Sequence, residues 1–206
     1  MKLFFTYCLI ILFVSCDSSE KKDPEDSSEK TESNATSKEE KSTVKGDGLS
    51  LEQHGDYSTL FNLEKGDCSF IGVNDISNAL SLSEDAIQDI SGYGSCNYEI
   101  TLEDASKWTV SLQWHAFPKD QITKEIKSYT DEGSPLTALI SKTKDTYLCI
   151  HPFNKFLMLY NNNYDGAIQI SYCKITDCRK LSEEQKETRK QLAITLGDYL
   201  LQKHKK

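Results

Sequence analysis

Cys96-Asn97-Tyr98-Glu99-Ile100-Thr101-Leu102 and, after a short link over 103–107, Trp108-Thr109-Val110-Ser111-Leu112-Gln113-Trp114 both alternate apolar with polar residues. Successive side chains of a strand point to opposite faces of its sheet. Cys96, Tyr98, Ile100 and Leu102 therefore share one face, and Trp108, Val110, Leu112 and Trp114 share one face. Two such runs joined by a short link predict a β-hairpin with one apolar and one polar side. The polar side gathers Asn97, Glu99 and Thr101 from the first strand and Thr109, Ser111, Gln113 and His115 from the second. Solvated, this face needs no function. As a ligand face it offers donors and acceptors at Asn97, Glu99, Thr109, Ser111, Gln113 and His115. Trp108 and Trp114 alternate with the core, which assigns them to packing ahead of sugar stacking.

Outward from the hairpin the period changes. Val73, Ile76 and Leu80 recur at helical spacing with Asn74 as N-cap, and a second short helix from Ser83 is expected to carry Ile87 and Ile90. Gly92-Tyr93-Gly94-Ser95 then breaks the chain before the hairpin. Beyond it, Ile122, Ile126 and Tyr129 return to helical spacing, ended by Gly133-Ser134-Pro135. Three further strands are predicted over 146–151, 155–160 and 167–175. Ser182-Glu183-Glu184-Gln185 is a capping box opening a last helix whose Leu192, Leu196 and Leu200 form a stripe. The order predicts an α+β domain: a mainly antiparallel sheet of about five strands with helices packed on one face. It occupies 49–206, a comfortable single-domain length.

The chain begins differently. Lys2 precedes an apolar run from Leu3 to Val14, which is followed by Ser15, Cys16 and an abrupt change to Asp17-Ser18-Ser19-Glu20. A basic residue, a short apolar run and a small residue describe a secretory signal, and the run is far below the ~20 residues of a membrane-spanning helix. Val14-Ser15-Cys16 resembles the end of a bacterial lipoprotein signal of the signal peptidase II type, with Phe13 where that family usually has leucine. The resemblance implies that 1–15 is removed and that the Cys16 thiol carries a diacylglycerol. One acyl chain anchors reversibly and two or more anchor stably. Residues 16–48 would then be the lipidated cysteine and an acidic tether. This stretch is rich in Ser, Thr, Glu, Asp and Lys and too poor in apolar residues to offset its ordering entropy. An acidic export signal is the alternative use of the same composition. The expected location is the bacterial cell envelope, lipid-anchored at the outer membrane and facing the periplasm or the surface.

With 32 acidic against 24 basic residues the net charge is −8. That argues against nucleic acid and against electrostatic binding to anionic lipid. The partners expected are the membrane, through the anchor, and an envelope protein or small ligand.

In an oxidising envelope the cysteines of a modest domain are usually bridged. Cys68 precedes the first helix and Cys96 opens the first hairpin strand, so their bond would staple helix to sheet. Cys173 and Cys178 can close a local loop, which leaves Cys149 a buried thiol; Cys149–Cys173 with Cys178 free is the competing arrangement. Cys173-x4-Cys178 fits no common zinc spacing, and no metal or cofactor is expected.

The motif Cys68…Gly94-Ser95-Cys96-Asn97-Tyr98 is similar to small bridged domains of bacterial lipoproteins. These in turn resemble extracellular sensor domains of some actinobacterial receptor kinases. The likeness spans roughly 63–203 and implies an envelope binding or sensing module without catalysis; no site residues carry over. The histidines His54, His115, His151 and His204 are the candidate general bases, yet Gly-x-Ser-x-Gly is absent. Gly92-Tyr93-Gly94-Ser95-Cys96 has its serine one place late. Two alternatives stay open: an envelope hydrolase using His115 with scattered carboxylates, and a protein-inhibitor or assembly-accessory lipoprotein.

Overall fold

The computed structural model describes the backbone of 43–44 and residues 55–92 and 94–206. The expected signal peptide, Cys16, most of the tether and His54 lie outside the described residues.

The predicted hairpin forms as Cys96–Thr101 (β3) and Lys107–His115 (β4), with Cys96 opposite Leu112, Tyr98 opposite Val110 and Ile100 opposite Trp108. It sits within an antiparallel sheet completed by β1 (Thr43–Val44), β2 (Ile87–Asp89), β5 (Thr137–Ile140), β6 (Tyr147–His151), β7 (Phe156–Tyr160) and β8 (Ala167–Ser171). The strand order is β1-β5-β6-β7-β8-β4-β3-β2. Among the described residues five helices accompany it: α1 (Ser58–Phe61), α2 (Val73–Leu80), α3 (Lys119–Thr130), α4 (Ile175–Cys178) and α5 (Glu183–His204).

The α+β class holds, but the sheet is larger than about five strands. β5 was not anticipated because Thr137-Ala138-Leu139-Ile140 does not alternate, being more than half buried on both faces. β2 replaces the expected second helix. Only one 3-10 turn, Glu84–Ala86, forms before Ile87 pairs with Ile100, a β-branched residue covered by the sheet's apolar face. The helix expected behind Asn74 is α2; it is capped by Gly72, whose N–H donates to the Asp75 carboxylate at 2.8 Å, while Asn74 lies inside the helix and donates to Glu84. Thr43 and Val44 pair with Leu139 and Ala138, so the sheet takes in two residues of the span expected to be a tether.

The helices do not all lie on one face. Leu148, Leu157, Leu159 and Ile168 pack with Leu196, Leu200 and Leu201 of α5. The residues between them, Cys149, Met158 and Tyr160, pack with Ile122, Ile126 and Tyr129 of α3. Alternation along a strand places α3 on the opposite side of the sheet from α5. The cause is visible in β6 and β7, whose continuous apolar runs leave no face for water.

Two local features hold the ends together. Gly166 has φ +141°, and a Cβ on it would stand 2.6 Å from Trp114 Nε1 and 2.7 Å from the Phe61 carbonyl oxygen. That is where Trp114 donates to Phe61 at 2.8 Å. Gly166→Ala should therefore destabilise by more than ~1 kcal/mol, read from the urea midpoint.

Asp145, with no exposed surface, accepts from Tyr57 Oη (2.7 Å), Thr143 Oγ1 (2.7 Å), Lys205 Nζ (2.9 Å) and the Gly55 N–H (3.2 Å). Burial pushes its carboxyl up, but the bonds from Thr143, Lys205 and Tyr57 outweigh burial and hold it below its ordinary value. A carboxylate depressed on folding stabilises above its unfolded pKa and loses that contribution as pH falls through the folded one. Stability should decline as pH drops below ~4. Asp145→Ala should cost about 3 kcal/mol at neutral pH and make that acid limb shallower, both measurable by denaturant titration across pH.

Candidate functional site

Register places the candidate ligand face on one surface, the side of the sheet that α3 occupies over β5–β7. Gln88, Glu99 and Thr109 form one row across β2, β3 and β4, and Asn97, Ser111, Ser171 and Phe156 form another across β3, β4, β8 and β7. Gln113 lies beside Gln169. Much of this face satisfies itself: Lys107 pairs with Glu99, Asn97 donates to Ser95 Oγ at 2.8 Å, and Gln169 donates to Ser171 Oγ at 2.9 Å. His115 differs. Its ring lies 5.9 Å from that of Phe117, its Nε2 is buried with no hydrogen-bond partner, and burial lowers its pKa.

The other described histidines stand elsewhere. His151, at the end of β6, accepts at Nδ1 from the Asn154 N–H. His204, at the end of α5, donates from Nε2 to the Phe70 carbonyl at 2.9 Å. Among the described residues no group of three or more His, Cys, Asp or Glu is placed to hold a metal ion. Ser95 belongs to a bridged turn with Gly92. Trp108 is fully buried and donates to the Tyr172 carbonyl at 3.0 Å, so its ring is part of the core.

Cys68 and Cys96 are bonded, their Cα atoms 5.6 Å apart, which joins the approach to α2 to the first residue of β3. Cys173 and Cys178 lie at disulfide distance, Cα atoms 5.7 Å apart, and Cys149 is a buried free thiol.

A second site, assembled only by the fold, lies on the α5 side of the sheet. A crevice of about 750 Å³ opens between the end of α2, the β3–β4 turn and the first turns of α5. That volume is in the range of small-ligand sites. Each wall has a local cause. The turn is tight: Ala105 takes φ 60°, Asp104 accepts from the Ser106 N–H at 2.9 Å, and the Ser106 hydroxyl and N–H together hold its carboxyl low. The α5 wall begins at a complete capping box, Ser182 Oγ accepting from the Gln185 N–H and Gln185 Oε1 from the Ser182 N–H, each at 3.1 Å.

Arg189 lies at the bottom of this crevice, 5% exposed. Its Nη2 donates to the Lys107 carbonyl at 2.7 Å and its Nε is buried without a partner. Burial pulls its pKa down, and the charges of Asp104 and Asp177 oppose that from a distance. A guanidinium stays protonated in proteins, so this is a buried cation whose one hydrogen bond among the described residues goes to a neutral group. The sequence did carry a signal. Arg189 stands three residues before Leu192 and continues the stripe of Leu192, Leu196 and Leu200, a cation where an apolar residue belongs.

No protein-family model matches the sequence, and no curated protein or solved structure is significantly similar to it.

The thiols provide a check on this chemistry. Burial pushes the Cys149 thiol well above its ordinary value, and the Glu125 charge adds to the effect. Thiolate is the reactive form, so iodoacetamide should label Cys149 in denaturant and leave it untouched in the native chain. Peptide mapping without reductant should recover Cys68 joined to Cys96 and Cys173 joined to Cys178.

Proposed function

We propose that this chain is a lipid-anchored module of the bacterial cell envelope, attached to the outer membrane through Cys16, that binds or senses a ligand without transforming it. The observation that carries the binding role is the crevice with Arg189 at its base. Concave volume, apolar walls and one convergent cation are what holding a small molecule requires. The two cysteine pairs fit an oxidising compartment. The anchor is argued from Val14-Ser15-Cys16 and the polar stretch behind it.

Mass spectrometry of the mature amino terminus tests the anchor. The terminus should be Cys16 bearing acyl chains, and the chain should partition into detergent. Cys16→Ala should accumulate as an unlipidated precursor. A mature terminus without acyl chains overturns the anchor, and turnover of an envelope polymer or peptide by the purified chain overturns the non-catalytic role.

A further inference from the structure

Three kinds of residue line the α2–α5 crevice, and they grade from buried to exposed. Most buried is Arg189, nineteen-twentieths covered and, among the described residues, hydrogen-bonded to a backbone carbonyl alone. Asp104 and Asp177 act on it only from beyond hydrogen-bond reach; a buried charge so weakly countered is destabilising, and a guanidinium fork matches a carboxylate bidentately. Around it stand Leu80, Leu82, Leu102 and Leu192, part-buried leucines that line the cavity and pack against the core. At the mouth are Glu103, Asp104 and Glu184, all exposed.

This gradation discriminates among ligands. A purely apolar molecule leaves Arg189 uncompensated. A fatty carboxylate satisfies Arg189 and the leucines but presents its tail to three carboxylates. A cationic amphiphile satisfies the mouth and puts nothing on the buried cation. A molecule with a carboxylate at one end, an apolar middle and an ammonium at the other meets all three. The mouth acids are solvated, so they contribute attraction weakly, whereas the buried guanidinium is little screened. The carboxylate contact is therefore the stronger determinant.

We propose that the crevice binds a short apolar peptide, its C-terminal carboxylate on Arg189, its side chains against the four leucines, and its N-terminal ammonium toward Glu103, Asp104 and Glu184. This assignment rests on the reading of the chain as a binding module and names the ligand class of that site. About 750 Å³ exceeds what a single amino acid fills and accommodates a drug-sized ligand.

Isothermal titration calorimetry on the full chain in detergent, with tri-leucine as probe, tests it. Tri-leucine should bind. Its C-terminal amide should bind at least tenfold more weakly, and N-acetyl-tri-leucine several-fold more weakly. Arg189→Lys and Arg189→Gln should each lose at least tenfold for the free peptide. Glu103→Gln combined with Glu184→Gln should weaken tri-leucine and leave the acetylated peptide unchanged. Should either Arg189 variant lose its native circular dichroism, the acid-against-amide comparison on the unaltered chain decides. Equal affinity for acid and amide overturns the proposal. Hexanoate binding where tri-leucine does not also overturns it, while leaving the binding-module reading in place; binding of neither overturns both.

Discussion

β6 and β7 have no face to give to water, and the architecture follows from that constraint. Tyr147-Leu148-Cys149-Ile150 and Leu157-Met158-Leu159-Tyr160 are buried throughout, so each side of this half of the sheet needs a helix. α5 covers Leu148, Leu157 and Leu159, and α3 covers Cys149, Met158 and Tyr160. α5 comes close enough at Gly197 that a Cβ there would meet Leu159 Cδ2 at 3.0 Å. The other half, β4-β3-β2, is built from alternating strands and needs only one apolar layer. Its second face carries part-exposed polar side chains such as Thr109, Ser111 and Gln113. One sheet is thus covered on two sides where its strands are continuously apolar and on one side where they alternate.

α5 carries two buried electrostatic problems, with different solutions. Its 22 residues make a rod of roughly 33 Å at 1.5 Å per residue. Past its C-terminal end, Lys205 meets Asp145, and the carboxylate's remaining capacity goes to Tyr57, Thr143 and Gly55. That cluster is saturated, and it ties residues 55–57 to the β5–β6 turn. Near the N-terminal end, Arg189 has a carbonyl for a partner and an Nε with none. A saturated cluster has nothing left to offer a ligand, whereas an unsaturated cation beside open volume does. This difference, more than exposure, separates a structural charge from a site.

Periodicity revealed most of the sheet because most strands show it. The hairpin alternates cleanly, and β6, β7 and β8 are bounded by turn residues at 152–154 and 161–166. α3 and α5 are legible through Ile122, Ile126 and Tyr129 and through Leu192, Leu196 and Leu200. β5 and β2 were hidden for a physical reason: four residues without alternation, and three residues next to a helical start, fit more than one period. The side of the sheet that α3 covers was encoded in the absence of polar positions in β6 and β7, a pattern that speaks of layers only once the strands are paired. The polar face of the hairpin was legible from the hairpin alone. The crevice was not, because its walls come from segments around 80, 103 and 189 that only the fold brings together; Arg189 breaks an apolar stripe, but a stripe alone does not show what stands opposite it.

The walls of that crevice are fixed to one another by bonds that lie outside it. Cys68–Cys96 joins the approach to α2 to β3, the strand that leads into the β3–β4 turn. Asp75 of α2 pairs with Lys203 of α5 at 2.8 Å and receives Tyr199 Oη at 3.4 Å, while also accepting from the Gly72 N–H. Arg189 itself clamps α5 to the start of β4 through the Lys107 carbonyl. Each pair of walls therefore has its own crosslink: covalent between α2 and the hairpin, ionic between α2 and α5, and a charge-assisted hydrogen bond between α5 and the hairpin. A site whose walls are held in place before the ligand arrives avoids the ordering cost that otherwise subtracts from affinity. The bonds that close the triangle leave the leucines and the guanidinium in the shape a ligand would meet.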